Sequence, residues 1–248
     1  MMNIAQYLDS TYLKTPLQSG ISESQTLQKD IDLTQEAIDN SIFAVMIRPD
    51  YVSEIKKYII ERNSNVAVGT VIGFHEGTYT IQEKIAEASK AIADGADELD
   101  FVINYNAYLN GDLKLVKEEF VQCTTLCVQN HKIAKWIIEI AALTDHQIAD
   151  LTKHISTWAE ENFSEKDLNS IFVKSSTGFF ETTEGKPNGA TFEGIQIMLD
   201  NAGKLPVKAA GGVRTPGDAE RMIKMGVKRI GTSSALSLIK DQSASESY

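Results

Sequence analysis

Positive charge is in short supply in this chain. Twenty-four lysines and arginines face 34 aspartates and glutamates across 248 residues, for a formal charge of −10. Such a chain lacks the basic face that nucleic acid or an anionic membrane surface requires, so neither is an expected partner. Any anionic ligand must instead be held by a few local donors. Long apolar runs are missing too: nothing approaches the roughly 18 residues of a spanning helix, and Met1-Met2-Asn3-Ile4-Ala5-Gln6 has no charged-then-apolar leader pattern. A cytoplasmic protein is the expectation. Cysteine is nearly absent, and Cys123 and Cys127, four apart in a helical pattern, suit buried reduced thiols better than a disulfide framework or a Cys-x-x-Cys redox pair. No Gly-x-Gly-x-x-Gly turn offers itself to a dinucleotide. Of the four histidines, His131, His146 and His154 fall on or beside predicted helices, where surface or packing roles are expected.

What the chain does have is alternation. Short β-like runs begin near Ile4, Ile42, Val66, Glu98, Lys135, Ser170, Leu205 and Val227. Helical patterns follow, over about 22–40, 52–62, 80–93, 114–129, 144–159, 192–201 and 218–225, with a last helix after the eighth run. The spacing is that of a βα unit, and no linker or shift in composition divides the series. The predicted fold is α/β, a single closed (β/α)8 barrel occupying 1–248, with a polar tail over 241–248 that composition marks as flexible.

Two strands end in the same way. Ser170-Ile171-Phe172-Val173-Lys174-Ser175-Ser176-Thr177-Gly178 and Leu205-Pro206-Val207-Lys208-Ala209-Ala210-Gly211-Gly212 each run apolar, then lysine, then small residues. On parallel neighbours the two ammonium groups share one mouth, where repulsion lowers at least one pKa and frees an amine to attack a carbonyl. The bland alternative is a pair of lysines snorkelling at a barrel rim. Period-two alternation sets Glu98, Asp100 and Val102 on one face of the fourth strand and Lys135, Ile137 and Glu139 on one face of the fifth. Asp100 is the best-placed carboxylate for acid–base work beside the lysines. Asp9, at the end of the first strand, suits either that task or the orientation of Thr11 or a lysine. Lys135 and Glu139 are expected to form an inward ion pair, and Glu160 to Asp167 a solvated face and turn.

Several motifs in fixed order resemble deoxyribose-phosphate aldolase. They are Gly95-Ala96-Asp97-Glu98-Leu99-Asp100-Phe101-Val102-Ile103-Asn104, Phe172-Val173-Lys174-Ser175-Ser176-Thr177-Gly178, and Val207-Lys208-Ala209-Ala210-Gly211-Gly212-Val213-Arg214-Thr215. Leu8-Asp9-Ser10-Thr11, Gly73-Phe74 with Gly77, Lys84 and Glu87, Gly231-Thr232-Ser233-Ser234 and the terminal Tyr248 also fall where that family has counterparts, so the resemblance spans nearly the whole chain. It implies a class I aldolase that reversibly cleaves 2-deoxy-D-ribose 5-phosphate to D-glyceraldehyde 3-phosphate and acetaldehyde through a lysine Schiff base, in carbohydrate and deoxyribonucleotide breakdown. No metal and no organic cofactor is implied. Lys174 takes the place of the nucleophile, Lys208 lowers its pKa, Asp100 and Lys208 handle protons with Asp9 nearby, and Tyr248 dips in to assist proton transfer. The assembly is left open, a homodimer included.

Phosphate recognition has its own physical basis, since barrels often hold phosphate on the loops after strands seven and eight. Gly211, Gly212, Ser233 and Ser234 fit those places, and Thr177 and Gly178 complete the cradle from strand six. Isomerase or flavin-binding barrels share such loops without needing the two lysines. Some features depart from the family pattern. Phe179 stands where some relatives have lysine, the loop 179–191 is lengthened, and Lys186 is a candidate to fold back as the missing charge. His75 occupies the usual place of proline. Met46 occupies that of a site-facing cysteine, which predicts tolerance of acetaldehyde-derived electrophiles if Met46 rather than Ile47 faces the mouth.

Overall fold

A computed structural model describes residues 3–183 and 185–240. Eight parallel strands close into a barrel in sequence order. They are β1 (Leu8–Thr11), β2 (Ala44–Ile47), β3 (Ala67–Ile72), β4 (Glu98–Val102), β5 (Ile133–Ile137), β6 (Ile171–Lys174), β7 (Val207–Ala210) and β8 (Arg229–Thr232). Closure is made by β1 against β8, with Asp9 opposite Gly231 and Ser10 opposite Thr232. The outer helices are α1 (Glu23–Asp39), α2 (Val52–Glu61), α3 (Ile81–Ala93), α4 (Leu113–Gln129), α5 (Asp145–Asn162), α6 (Phe192–Asn201), α7 (Pro216–Met225) and α8 (Ala235–Ile239). The predicted single (β/α)8 barrel is the observed architecture. No helix among the described residues is long and apolar enough to cross a membrane.

Local chemistry sets where the helices begin. Ser22, Thr80 and Thr144 each accept the backbone N–H three residues on, and Gln25, Glu83 and Gln147 return the bond to the cap's own N–H. Such reciprocal boxes satisfy donors that a helix start otherwise leaves open. Two elements differ from the sequence pattern. Residues Ile4–Tyr7 form a 3-10 turn, and pairing begins only at Leu8. The fifth strand ends at Ile137, because Glu139 takes a left-handed backbone at φ 56° that no strand can continue.

Apolar residues fill the space between barrel and helices. Phe101 and Trp136 stack at 5.0 Å under Phe120 of α4, and the buried Trp136 Nε1 donates to Thr124 Oγ1 at 2.9 Å. Cys123 and Cys127 lie buried on α4 within this layer, and burial pushes the Cys123 thiol up to about 12. They are inert packing thiols, as their spacing suggests.

One buried group stands out on α1. Its inward face carries Thr26, Asp30, Thr34 and Ala37, and neither carboxyl oxygen of Asp30 has a hydrogen-bond partner among the described residues. Burial pushes Asp30 up to about 7. Between the ordinary carboxyl range and that value the folded chain keeps a proton that the unfolded chain has released, so stability falls as pH rises through this window. Asp30→Asn removes the ionisable group. Melting temperatures should therefore be similar for variant and wild type near pH 4, with the variant pulling ahead by pH 8. A constant offset between them across that range would refute the assignment.

Candidate active site

Inside the barrel the usual branched apolar layers give way, over much of the ring, to charge. Asp9 enters from β1, Glu98 and Asp100 from β4, Lys135 from β5, Lys174 from β6, Lys208 from β7 and Arg229 from β8, and all are buried. Arg229 bridges the lower carboxylates: its Nε meets Asp9 Oδ1 at 2.7 Å, and Nη1 and Nη2 meet the two Glu98 oxygens at 3.0 and 2.8 Å. Lys135 reaches Glu98 at 2.5 Å, Asp100 at 3.0 Å and Asp9 at 3.4 Å. The expected Lys135–Glu139 pair does not form, because Glu139 lies past the strand end and the two-residue alternation no longer applies to it.

Above this layer the two predicted lysines converge. Lys174 Nζ and Lys208 Nζ each lie 2.8 Å from the same oxygen, Asp100 Oδ2, and Lys208 also meets Asp9 Oδ2 at 2.5 Å. Adjacent registry explains it, since Lys174 pairs directly with Lys208 across β6 and β7. The Asp9 carboxylate thus faces cations, while Thr11 is satisfied by the Asp9 backbone carbonyl at 2.9 Å.

Four cations meet three carboxylates, leaving one positive charge in excess when every amine is protonated. The electrostatics place the deficit on Lys208, whose pKa falls to about 8 through burial, against the opposing pull of Asp100 and Asp9. Burial by itself would raise Asp100, but Lys135, Lys174 and Lys208 outweigh it and hold the carboxyl well below its usual range. Asp9 is held low in the same way by Arg229, Lys208 and Lys135 against its own burial. Lys135 is held high despite burial, by Asp100, Glu98 and Asp9. Asp100 is therefore an ionised acceptor between two amines.

Lys174 alone among these groups opens onto a cleft of about 390 Å³ at the carboxyl ends of the strands. Thr177, Gly178, Gly211 and Ser233 stand on its wall. Gly212 and Ser234 sit one residue behind it. Tyr248 lies outside the described residues. Latches hold the wall in place. Ser175 Oγ donates to Ala210 O at 3.2 Å and accepts from Ala210 N at 2.9 Å. Ala190 N lies 3.0 Å from both Ala210 O and Gly211 O, so the long loop after Gly178 returns to β7. There a Cβ on Gly189 would come within 2.5 Å of the Gly211 backbone. Lys186 is exposed in that loop and is not part of the cleft wall.

On the opposite side, buried Lys84 ties the turn after β3 to the end of β4, donating to Gly77 O at 2.8 Å and Val102 O at 2.7 Å and pairing with Glu119. Phe179 borders the cleft, edge-on to Phe74 at 5.1 Å and stacked on His75 at 5.6 Å. Met46 faces the barrel interior in a small cluster with Leu13 and Val71, under Phe74 and Phe179, while Ile47 faces the helices.

Three features of the site lie beyond what residue order shows. Arg229 was hidden in Lys228-Arg229, which looks like an ordinary polar strand start, although two-residue spacing from Gly231 is a usable signal. Glu139 is buried beside the cleft wall, where its Oε2 accepts from Thr177 N at 3.1 Å and from Thr177 Oγ1. Burial raises it to about 7 even though Thr177's bonds favour the charged form. Lys14 and Lys29 line the cleft from the β1 side, which ring closure alone brings there.

Buried amines around a shared carboxylate, at the end of a (β/α)8 barrel where such folds place their chemistry, make this a barrel enzyme with a lysine-centred site. Residues 4–241 match the DeoC/LacD family of aldolases, and the chain belongs to that family. It is therefore an aldolase, a carbon–carbon lyase. The chain is 37% identical to the deoxyribose-phosphate aldolase of Caldicellulosiruptor saccharolyticus, over 96% of its own length and 97% of the relative's. To that of Thermococcus gammatolerans it is 36% identical, over 96% of each. The tetrameric deoxyribose phosphate aldolase of Aeropyrum pernix superposes with a TM-score of 0.76 at 25% identity, covering 96% of this chain and 89% of that one.

The charge network makes a stability prediction. Arg229→Met strands Asp9 and Glu98 without their bridging cation, and losing one partner of a buried ion pair costs roughly 3–5 kcal/mol. Urea unfolding should show a loss of that order. Adding Glu98→Gln should recover part of it, and strictly additive losses would contradict the coupling.

Proposed function

We propose that the chain is a class I aldolase that cleaves 2-deoxy-D-ribose 5-phosphate to D-glyceraldehyde 3-phosphate and acetaldehyde through a Schiff base on Lys174. The observation that carries this reading is the sharing of Asp100 Oδ2 by Lys174 and Lys208, with only Lys174 open to the cleft. The proton missing from Lys208 near pH 8 can be exchanged across Asp100, so that Lys174 presents a neutral amine while Lys208 holds the charge. Neutral Lys174 attacks the C1 aldehyde, and the carbinolamine loses water once its hydroxyl is protonated. The Lys208 ammonium is the donor, and Asp100 relays protons between amine, water and substrate.

The imine withdraws electrons from the C2–C3 bond. Loss of the C3 hydroxyl proton to the relay then breaks that bond and releases the three-carbon aldehyde. The remaining enamine is protonated at C2 and hydrolysed, returning acetaldehyde and free Lys174. Asp9 supports the cycle by holding Lys208 at 2.5 Å, and the proposal keeps Tyr248 as a helper in the C2 proton step. Thr177, Gly178, Gly211, Gly212, Ser233 and Ser234 form the proposed cradle for the phosphate. The same proposal takes the chain as one aldolase domain, 1–248, acting in the cytoplasm as an assembly of identical chains, a homodimer at the least. It is motivated in that last respect by the tetramer of the Aeropyrum pernix relative.

Reduction with borohydride in the presence of acetaldehyde, followed by peptide mass mapping, tests the chemistry. A two-carbon adduct on Lys174 is expected, and active enzyme without one would overturn the mechanism. Lys174→Arg keeps a guanidinium that stays protonated and should abolish turnover. Lys208→Leu should still trap acetaldehyde while turning over about 10²–10⁴-fold more slowly. In the wild type kcat/KM should rise with pH through about 8 as the network sheds its extra proton, and a flat profile from pH 6 to 9 would contradict the assignment.

The position of Met46 in the barrel interior, beneath Phe74 and Phe179, supports a further expectation. Wild type should outlast Met46→Cys in concentrated acetaldehyde, with adduct mass appearing at position 46 only in the variant. Equal survival without adduct would remove that explanation.

A further inference from the structure

The cleft is not uniform around its rim. One side is apolar, formed by Phe179 with Phe74 and His75 behind it. The other side belongs to the segment after β1 and to α1, and there the wall carries Lys14 and Lys29. These two and Lys174 are the cations on the described cleft wall, and Lys174 is already paired with Asp100. In an acid-rich chain, neither Lys14 nor Lys29 makes an ion pair with a carboxylate of the described residues. Two lysines without a carboxylate partner among the described residues therefore line one side of the cleft.

That side is built rather than loose. Tyr12 Oη and Ser19 Oγ are 2.8 Å apart, and the Lys29 ammonium rests over the Tyr12 ring, 5.3 Å from its centroid. Arg48 Nε donates to Leu13 O at 2.7 Å. Thr15 and Gln18 cap the short turn Pro16–Ser19 reciprocally. Because β1 pairs with β8, this segment stands beside Gly231, Thr232 and Ser233, which line the same cleft. Backbone and hydroxyl donors on one strand end thus adjoin, on the next, two cations with no carboxylate partner among the described residues.

We propose that Lys14 and Lys29 are the charged half of the phosphate site, gripping the substrate's phosphate against the Gly231–Ser233 turn. They orient the sugar so that its anionic end lies between β1 and β8 and its carbonyl end reaches Lys174. This rests on the reading of the substrate as a phosphosugar, and it assigns the charge to residues other than Lys186, which is exposed away from the cleft. An aromatic ring at 179 is then tolerable, since no cation is needed on that side.

The test compares 2-deoxyribose 5-phosphate with unphosphorylated 2-deoxyribose in wild type, Lys14→Gln, Lys29→Gln, the double variant and Lys186→Gln. A charge-assisted hydrogen bond lost to the phosphate corresponds to about a tenfold fall or more. The ratio of kcat/KM for the two sugars should drop by about that factor in each single variant and further in the double, carried mainly by KM, and hold in Lys186→Gln. A ratio unchanged in the double variant, an equal fall for both sugars, or a fall confined to Lys186→Gln would overturn the proposal. Calorimetric titration with inorganic phosphate separates it from the reaction assignment. Binding to wild type that vanishes in the double variant supports the grip even if neither sugar is cleaved, and binding retained by the double variant overturns it even if both are.

Discussion

Everything at this site depends on a balance of buried charge. Three carboxylates and four cations share the buried barrel interior, where an isolated charge is very costly and a paired one gains little net stability. Such a network is poor glue but a strict positioning device, because every group except Lys174 has two or more partners on different strands. Asp100 touches β5, β6 and β7 through Lys135, Lys174 and Lys208, and Arg229 ties β8 to β1 and β4. Moving one strand relative to its neighbour would leave several charges unpaired at once. The same arithmetic makes the site reactive, since the surplus positive charge is relieved most simply by releasing a proton from an amine.

The charges occupy only part of the ring. The interior positions of β2 and β3 are taken by Met46, Gly69 and Val71, and a Cβ on Gly69 would collide with Met46 Sδ. Apolar filling is thus concentrated at β2 and β3, while the other six strands bring charge to the interior.

Much of this was legible from residue order. Eight apolar runs at βα spacing define the barrel, and lysines ending two consecutive runs, with a carboxylate inside a third, point to one mouth. What failed did so for local or topological reasons. Two-residue alternation assigns Glu139 to an inward pair, but its left-handed backbone ends the strand first and delivers the carboxylate to Thr177. Ile4 to Tyr7 has strand-like composition, yet lies below the point where β1 and β8 begin to pair. Arg229, Lys14 and Lys29 were invisible as site residues because their neighbours come from the far end of the chain. No window of sequence shows that residue 9 and residue 229 touch.

That last contact has a consequence for how the enzyme is made. Arg229 follows Asp9 by 220 residues and Glu98 by 131, so in a growing polypeptide both carboxylates wait for the guanidinium that satisfies them. Contacts of such long sequence separation are slow to form and come late. Ring closure and charge neutralisation are then a single event that waits for β8: a chain stopped before it has neither a closed sheet nor a balanced set of amines, and catalytic competence appears only when the whole barrel does.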